Sequence, residues 1–255
     1  MAQTHRTRPE VRQWAALDEH EVLVWWVNLD RVASSAEEWL GLLSVGEHVR
    51  ARRFHFQRDR QRFIVARGLL RTLLSHYVGL PPAALEFSYG IHGKPALAPT
   101  HGAQSIRFNV SHAGGSALYA VTRGREVGID LERVRADRLS SQGAKRILSP
   151  NEQVELSKLP VARQPAAWFR YWTRKEAYVK ARGTGLFHPL HQIDMSPESN
   201  GILSIPAAPD EQASTSRWTI VDFDLGAEYV AALALEGALK AVRLFPDGLS
   251  SQGNL

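Results

Sequence analysis

The chain has 255 residues, 44% hydrophobic and 22% charged, enough to bury a core as one large domain or two small ones. It contains no cysteine, which excludes disulfides, thiol catalysis and cysteine-zinc centres, and its formal net charge of +5 favours anionic partners at long range. No apolar run approaches the length of a membrane span and Met1–Arg12 lacks the apolar core of a secretion signal, so no membrane is expected as a partner and the cytoplasm is the default location.

In chain order, Met1–Gln13 reads as a flexible tail and Glu21–Asn28 as a buried first strand. Helices are expected over Ala36–Leu43, Gly46–Phe54 and Asp59–Val78, the last with Ile64, Leu69, Leu70, Leu73 and Leu74 on its apolar face and Gly79-Leu80-Pro81-Pro82 as its stop. Basic charge is concentrated in the segment that leads into and through this helix: Arg50, Arg52, Arg53, Arg58, Arg60, Arg62, Arg67 and Arg71 are opposed only by Glu47 and Asp59. Such a run is a solvated helix face or, since arginine suits bidentate contact, a phosphate site. Strands follow at Leu85–Tyr89, Ile106–Val110, Ser116–Thr122 and Val127–Leu131, with turns at Gly93-Lys94-Pro95 and Gly124. The second half has the same order: helices over Leu139–Leu148, Pro150–Leu159 and Ala166–Arg182, then strands near Leu186–Ile193, Arg217–Phe223, Tyr229–Leu235 and Ala241–Phe245. Asp247–Leu255 reads as a second flexible tail. The pattern predicts an α+β fold of two pseudo-symmetric lobes, residues 14–124 and 125–246, each a small antiparallel sheet packed with a long helix.

Two stretches carry the chemistry. Val127, Ile129 and Leu131 alternate with Gly128, Asp130 and Glu132, so the two carboxylates share one face of a half-buried strand. Glu176 and Lys180 lie one turn apart on the helix Ala166–Arg182. If that helix crosses the strand, three carboxylates converge, and oxygen-only ligation suits a hard cation such as Mg2+ that also takes substrate phosphate oxygens. Equally, Asp-x-Glu can be a solvated strand face and Glu176 with Lys180 a surface pair worth a few tenths of a kcal/mol. Phe108-Asn109-Val110-Ser111-His112 leads into Ala113-Gly114-Gly115, small residues that let a backbone approach a ligand. Ser111 and His112 can bond a phosphate oxygen there, or His112 simply satisfies a turn carbonyl. Adjacent serine and histidine do not make a hydrolase triad, and neither a Walker loop nor Gly-x-Gly-x-x-Gly is present. His188 and His191 lack a third metal ligand and read as loop residues.

Taken as an ordered set, Gly93-Lys94-Pro95, Phe108-Asn109-Val110-Ser111-His112, Gly128-Ile129-Asp130-Leu131-Glu132 and Trp172-Thr173-Arg174-Lys175-Glu176 with Lys180 and Gly183-Thr184-Gly185-Leu186 closely resemble the Sfp-type 4'-phosphopantetheinyl transferases, over roughly Arg50 to Leu235. The resemblance implies a monomer with coenzyme A in a cleft between the lobes, moving phosphopantetheine to a serine hydroxyl of an acyl or peptidyl carrier protein and releasing adenosine 3',5'-bisphosphate; such carriers present an acidic helix, so carrier docking is expected on a cationic, partly apolar surface of the second lobe. It implies Asp130, Glu132 and Glu176 as Mg2+ ligands and Lys175 and Lys180 on the pyrophosphate; since serine is a poor nucleophile at neutral pH, Glu176, directly or through a metal-bound water, is also the candidate base. Lys94, Pro95, Ser111 and His112 are implied at the nucleotide end, with Arg53 and Arg62 in the segment that binds the 3'-phosphate. Where some relatives place a lysine before that segment this chain has Glu47, which points to Arg50 or Arg58 for the contact. The competing readings are a metal-dependent nuclease, which leaves Gly93–Pro95 and Phe108–His112 unused, and a nucleic-acid-binding module, for which no docking motif is present. Neither is preferred, so no nucleic acid is expected as a partner.

Overall fold

The computed structural model describes residues 10–11, 16–135, 146–185, 189–196, 202–205, 217–246 and 249–250. Besides short 3-10 turns, they form β1 (Glu10–Val11), β2 (Glu21–Asn28), α1 (Leu29–Val32), α2 (Ala36–Leu40), α3 (Val45–Arg52), α4 (Gln57–Val78), β3 (Phe87–Tyr89), β4 (Pro95–Leu97), β5 (Ile106–Ala113), β6 (Ser116–Arg123), β7 (Val127–Arg133), α5 (Pro150–Lys158), α6 (Gln164–Arg182), β8 (Ile202–Ile205), β9 (Trp218–Asp224), β10 (Tyr229–Glu236), β11 (Ala241–Pro246) and β12 (Leu249–Ser250).

The strands form two four-stranded sheets, β11-β2-β6-β5 and β7-β10-β9-β8, with the small hairpin β3-β4 and the pair β1-β12 outside them. The fold is α+β, as expected. One pairing departs from the expectation of antiparallel sheets, because β11 lies parallel to β2. Ala241–Pro246, grouped by sequence with the second lobe, thus completes the sheet of the first. Phe245 stacks on Trp25 with ring centroids 5.3 Å apart, and the edge position leaves room for Pro246, which has no N–H to give to a further strand. Glu10–Val11 and Leu249–Ser250, expected in flexible tails, pair with each other.

Strands with two apolar faces explain the layering. On β2, Leu23, Trp25 and Val27 join Leu69, Leu70, Leu73 and Leu74 of α4, while Val22 and Val24 turn to the other side. On β10, Val230, Ala232 and Ala234 meet Ala177, Tyr178 and Ala181 of α6, while Ala231, Leu233 and Leu235 face the same central layer as Val22 and Val24. The order is therefore α4, sheet, sheet, α6. Alternation with period two yields two apolar faces here because both faces of each sheet are covered. Each fully buried leucine adds about 2 kcal/mol through its removal from water.

Two helix starts use the same local chemistry: the Ser44 and Ser149 hydroxyls cap the N-termini of α3 and α5, and Glu47 and Glu152 bond back to the cap residues. α6 ends at Gly183, whose φ of 68° lies in the left-handed region that L side chains avoid. The strand expected at Leu186–Ile193 is absent where the chain is described: Leu190–Gln192 form a 3-10 turn after Pro189. Residues 139–145 of the helix expected at Leu139–Leu148 and residues 186–188 lie outside the described residues.

Candidate active site

The placement of α6 over β7 begins with a glycine. A Cβ at Gly128 would stand 2.0 Å from the Ala177 carbonyl oxygen and 2.4 Å from the Ala181 nitrogen, so helix and strand meet backbone to backbone there. Two residues along the strand, on the same face as Gly128, comes Asp130, and one residue before Ala177 comes Glu176. Asp130 is 4% exposed, and its Oδ1 accepts bonds from Lys180 Nζ at 2.5 Å and from Ser111 Oγ at 3.0 Å. Glu132 accepts a bond from Trp172 Nε1 at 3.2 Å. Strand and helix thus bring together the four residues expected there, Asp130, Glu132, Glu176 and Lys180.

The cluster is short of positive charge. Asp130 Oδ2 and Glu176 Oε1 are buried with no hydrogen-bond partner. Burial first, and then the charges of Asp130 and Glu132, raise the Glu176 carboxyl to about 7 against the partial relief of Lys180. Glu132 is pushed up by burial and then by Asp130. Among the described residues no three His, Asp or Glu side chains are already gathered into a coordination shell. The donor set nevertheless fits a hard divalent cation: every donor is oxygen, two oxygens are orphaned, and two carboxyls are destabilised as anions by burial and then by the charge of Asp130. A cation would compete with Lys180 for Asp130 and with Trp172 for Glu132.

Beside the cluster, in the first lobe, lies a cavity of about 540 Å3 whose lining includes Arg50, Arg62, Phe63, Arg67, Pro95 and His112. His112 joins the two regions. Burial first, then the charges of Lys180 and Arg50, hold its imidazole below the usual histidine range. Arg62 is gripped by Asp30, Nε to Oδ1 and Nη2 to Oδ2, both at 2.6 Å. Arg67 bonds Glu47 and, at 3.2 Å, the Tyr89 hydroxyl. Arg53 stands exposed in a neighbouring shallow recess with Gly46, Val49, Arg50 and Phe54, outside the main cavity.

Three expected ligands are engaged elsewhere. Lys175 is fully buried and faces away from the cluster: its Nζ pairs with Glu152 at 2.6 Å and donates to the Ile147, Leu190 and Ile193 carbonyls. A helix turns about 100° per residue, so Lys175 and its neighbour Glu176 cannot both face β7. Lys94 donates to Glu126 at 2.7 Å and to the Ala181 carbonyl at 2.6 Å, tying the β3-β4 hairpin to the end of α6. Ser111 lies in the acid cluster rather than in the cavity. Glu47, which stands where a lysine was anticipated, is a buried structural anion bonded to Arg71 at 2.7 Å and to Arg67. Asp30, Asn109, Glu126 and Glu152 were not singled out in the sequence. Only Glu152 had a readable signal there, the Ser-x-x-Glu start of α5.

Comparison with known proteins adds the following. The family model described as 4'-phosphopantetheinyl transferase superfamily matches residues 126–234, and that described as 4'-phosphopantetheinyl transferase, N-terminal, matches residues 32–123. The 4'-phosphopantetheinyl transferase HetI of Nostoc sp. is 36% identical over 217 residues, 85% of this chain and 88% of that protein. The 4'-phosphopantetheinyl transferase Sfp of Bacillus subtilis is 27% identical over 184 residues, 71% of this chain and 80% of that protein. A holo-acyl-carrier-protein synthase structure from Thermotoga maritima aligns over 44% of this chain and 62% of its own, with a TM-score of 0.29 and 18% identity.

Proposed function

Given that the chain belongs to the 4'-phosphopantetheinyl transferase family and is an enzyme of that class, we propose that it transfers the 4'-phosphopantetheine group of coenzyme A to a serine hydroxyl of an apo acyl or peptidyl carrier protein. The reaction releases adenosine 3',5'-bisphosphate and depends on Mg2+. The observation that carries this reading is the meeting of Asp130, Glu132 and Glu176 beside Lys180, with two buried carboxylate oxygens unpartnered, next to an arginine-lined cavity large enough for a nucleotide.

Asp130, Glu132 and Glu176 would hold the cation, which when bound neutralises charge on the diphosphate. Arg50 and Arg62 face the cavity that takes the phosphorylated nucleoside, with Pro95 and His112 along its wall. Lys180 presents a fixed ammonium to the reacting phosphoryl group. The carrier hydroxyl oxygen attacks the β-phosphorus, its bond to the adenosine-bearing phosphate breaks, and the hydroxyl proton passes to Glu176. On the first lobe Val45, Val49 and Phe56 are exposed beside Arg53 and Arg58, a cationic, partly apolar surface suited to an acidic carrier helix. The second lobe, where docking was expected, exposes Val154 and Val161.

No helix of the described residues is long and apolar enough to cross a membrane; a cytoplasmic monomer is part of the proposal. The decisive experiment incubates the protein with coenzyme A, Mg2+ and apo carrier and follows the carrier's mass. The expected gain is one phosphopantetheine, and it is lost by a factor of about 10^3 in Asp130→Ala. No gain across a panel of fatty acid, polyketide and peptide carriers would reject the reading.

A further inference from the structure

β5 and β7 are edge strands of different sheets that lie side by side at the boundary between the lobes. An edge strand leaves a row of backbone groups without partners, and here those groups are buried. Side chains take the place of a ladder. Asn109 and Ser111, two apart on β5, present their oxygens to β7: Asn109 Oδ1 accepts from the Ile129 N–H at 3.0 Å and Ser111 Oγ from the Leu131 N–H at 3.2 Å. Both residues are nearly inaccessible, at 5% and 6% exposure. Between the two amides they satisfy lies Asp130.

We propose that Asn109 and Ser111 are positioning residues: they lock the register of β7 against the first lobe, and Ser111 turns the Asp130 carboxylate so that one oxygen is held and the other is offered to the cation. The bonding leaves Ser111 one arrangement. Its oxygen accepts from the Leu131 amide and from Lys180 Nζ at 3.1 Å, so its proton goes to Asp130 Oδ1. With Oδ1 occupied by Ser111 and Lys180, the orphan is Oδ2. Backbone pairing of β5 with β7 would close the strands to ladder spacing; bridging through side chains satisfies the amides while leaving the strands parted beside the cluster. The inference rests on the cation-dependent reading above, deepens it by assigning Ser111 to the carboxylate rather than to the nucleotide, and has one arm that needs no cation.

The test compares wild type, Ser111→Ala, Ser111→Thr and Asn109→Ala. Amide exchange by NMR should accelerate at least tenfold at Leu131 in Ser111→Ala and at Ile129 in Asn109→Ala, with Leu233 of β10 unchanged as a control for global opening. Mn2+ affinity by electron paramagnetic resonance, with saturating coenzyme A, should fall at least fivefold in Ser111→Ala and recover in Ser111→Thr. If Asn109→Ala does not fold, Ser111→Ala, which removes a single oxygen, carries the test. Unchanged exchange and Mn2+ affinity in Ser111→Ala, with a raised KM for coenzyme A, would overturn the inference alone. A wild-type protein that binds no Mn2+ would overturn the cation reading and the role given to Ser111 on the carboxylate, whereas the register lock would be overturned only by unchanged exchange at Leu131 and Ile129.

Discussion

In the first lobe Ser44 caps α3 and Glu47 reaches on to Arg71 and Arg67 of the long helix α4; in the second, Ser149 caps α5 and Glu152 reaches on to Lys175 of the long helix α6. The plan is the same, but the charge count differs. Burial works to raise the Glu47 carboxyl, yet its bonds with Arg71 and Arg67 hold it below the ordinary range. Glu152 meets a single ammonium, and burial keeps it above that range while lowering Lys175. The surplus cation explains the division of labour. Arg67 bonds Glu47 and still lines the cavity, whereas Lys175 is fully buried against one carboxylate and three carbonyls. What the second device sets is the rotation of α6, which delivers Glu176 to the strand.

The sharpest way to break this parallel is Lys175→Ala, which leaves Glu152 buried and unpaired. The expected loss is about 3–5 kcal/mol of stability, read as a fall in urea midpoint. An unaltered midpoint with a raised KM for coenzyme A would return Lys175 to the ligand set. Glu47→Gln keeps the capping oxygen but removes the charge between two arginines; a loss of about 2 kcal/mol is expected, and no loss would show that the two devices are not equivalent.

Glu176 sharpens the contrast between paired and unpaired acids through pH. Its folded pKa of about 7 exceeds the unfolded 4.5, so between those values the folded state binds more protons, and stability falls as pH rises through the window. Metal-free protein should therefore lose at most about 3 kcal/mol from pH 4.5 to 7.5 at this residue. Glu176→Gln should flatten that part of the profile. A stability that rises there in wild type relative to the variant would contradict the assignment. The smallest effect is expected at Arg62, already held by Asp30: Arg62→Ala should raise KM for coenzyme A about tenfold, with kcat within a factor of two, because a charge-assisted contact is lost from the bound state alone. A fall in kcat with unchanged KM would place Arg62 in the chemical step.

Local periodicity made both halves of the acid cluster legible. Val127–Leu131 alternates, the stretch Ala166–Arg182 has helical spacing, and together they predicted that Asp130, Glu132, Glu176 and Lys180 could share a site. Lys175 was misplaced because neighbours on a helix cannot be assigned to faces until the packing partner is known. Here the backbone contact at Gly128 chooses Glu176. The partner of β11 was equally hidden: its alternation announces a strand, but nothing local specifies β2 as its neighbour. Ser111 reads as a phosphate ligand beside His112, and Asn109 suggests no role, because bonds to another strand's backbone leave no trace in spacing.

The parallel pairing of β11 with β2 also bears on the order of assembly. During synthesis, residues 127–236 can complete the β7-β10-β9-β8 ladder while the earlier-made sheet still lacks its outer strand and Trp25 waits for Phe245. The lobe that leaves the ribosome first is then the last to complete its sheet. A contact of such long sequence separation slows the final folding step, so the slow phase in refolding should be reported by Trp25 rather than by the tryptophans of α6.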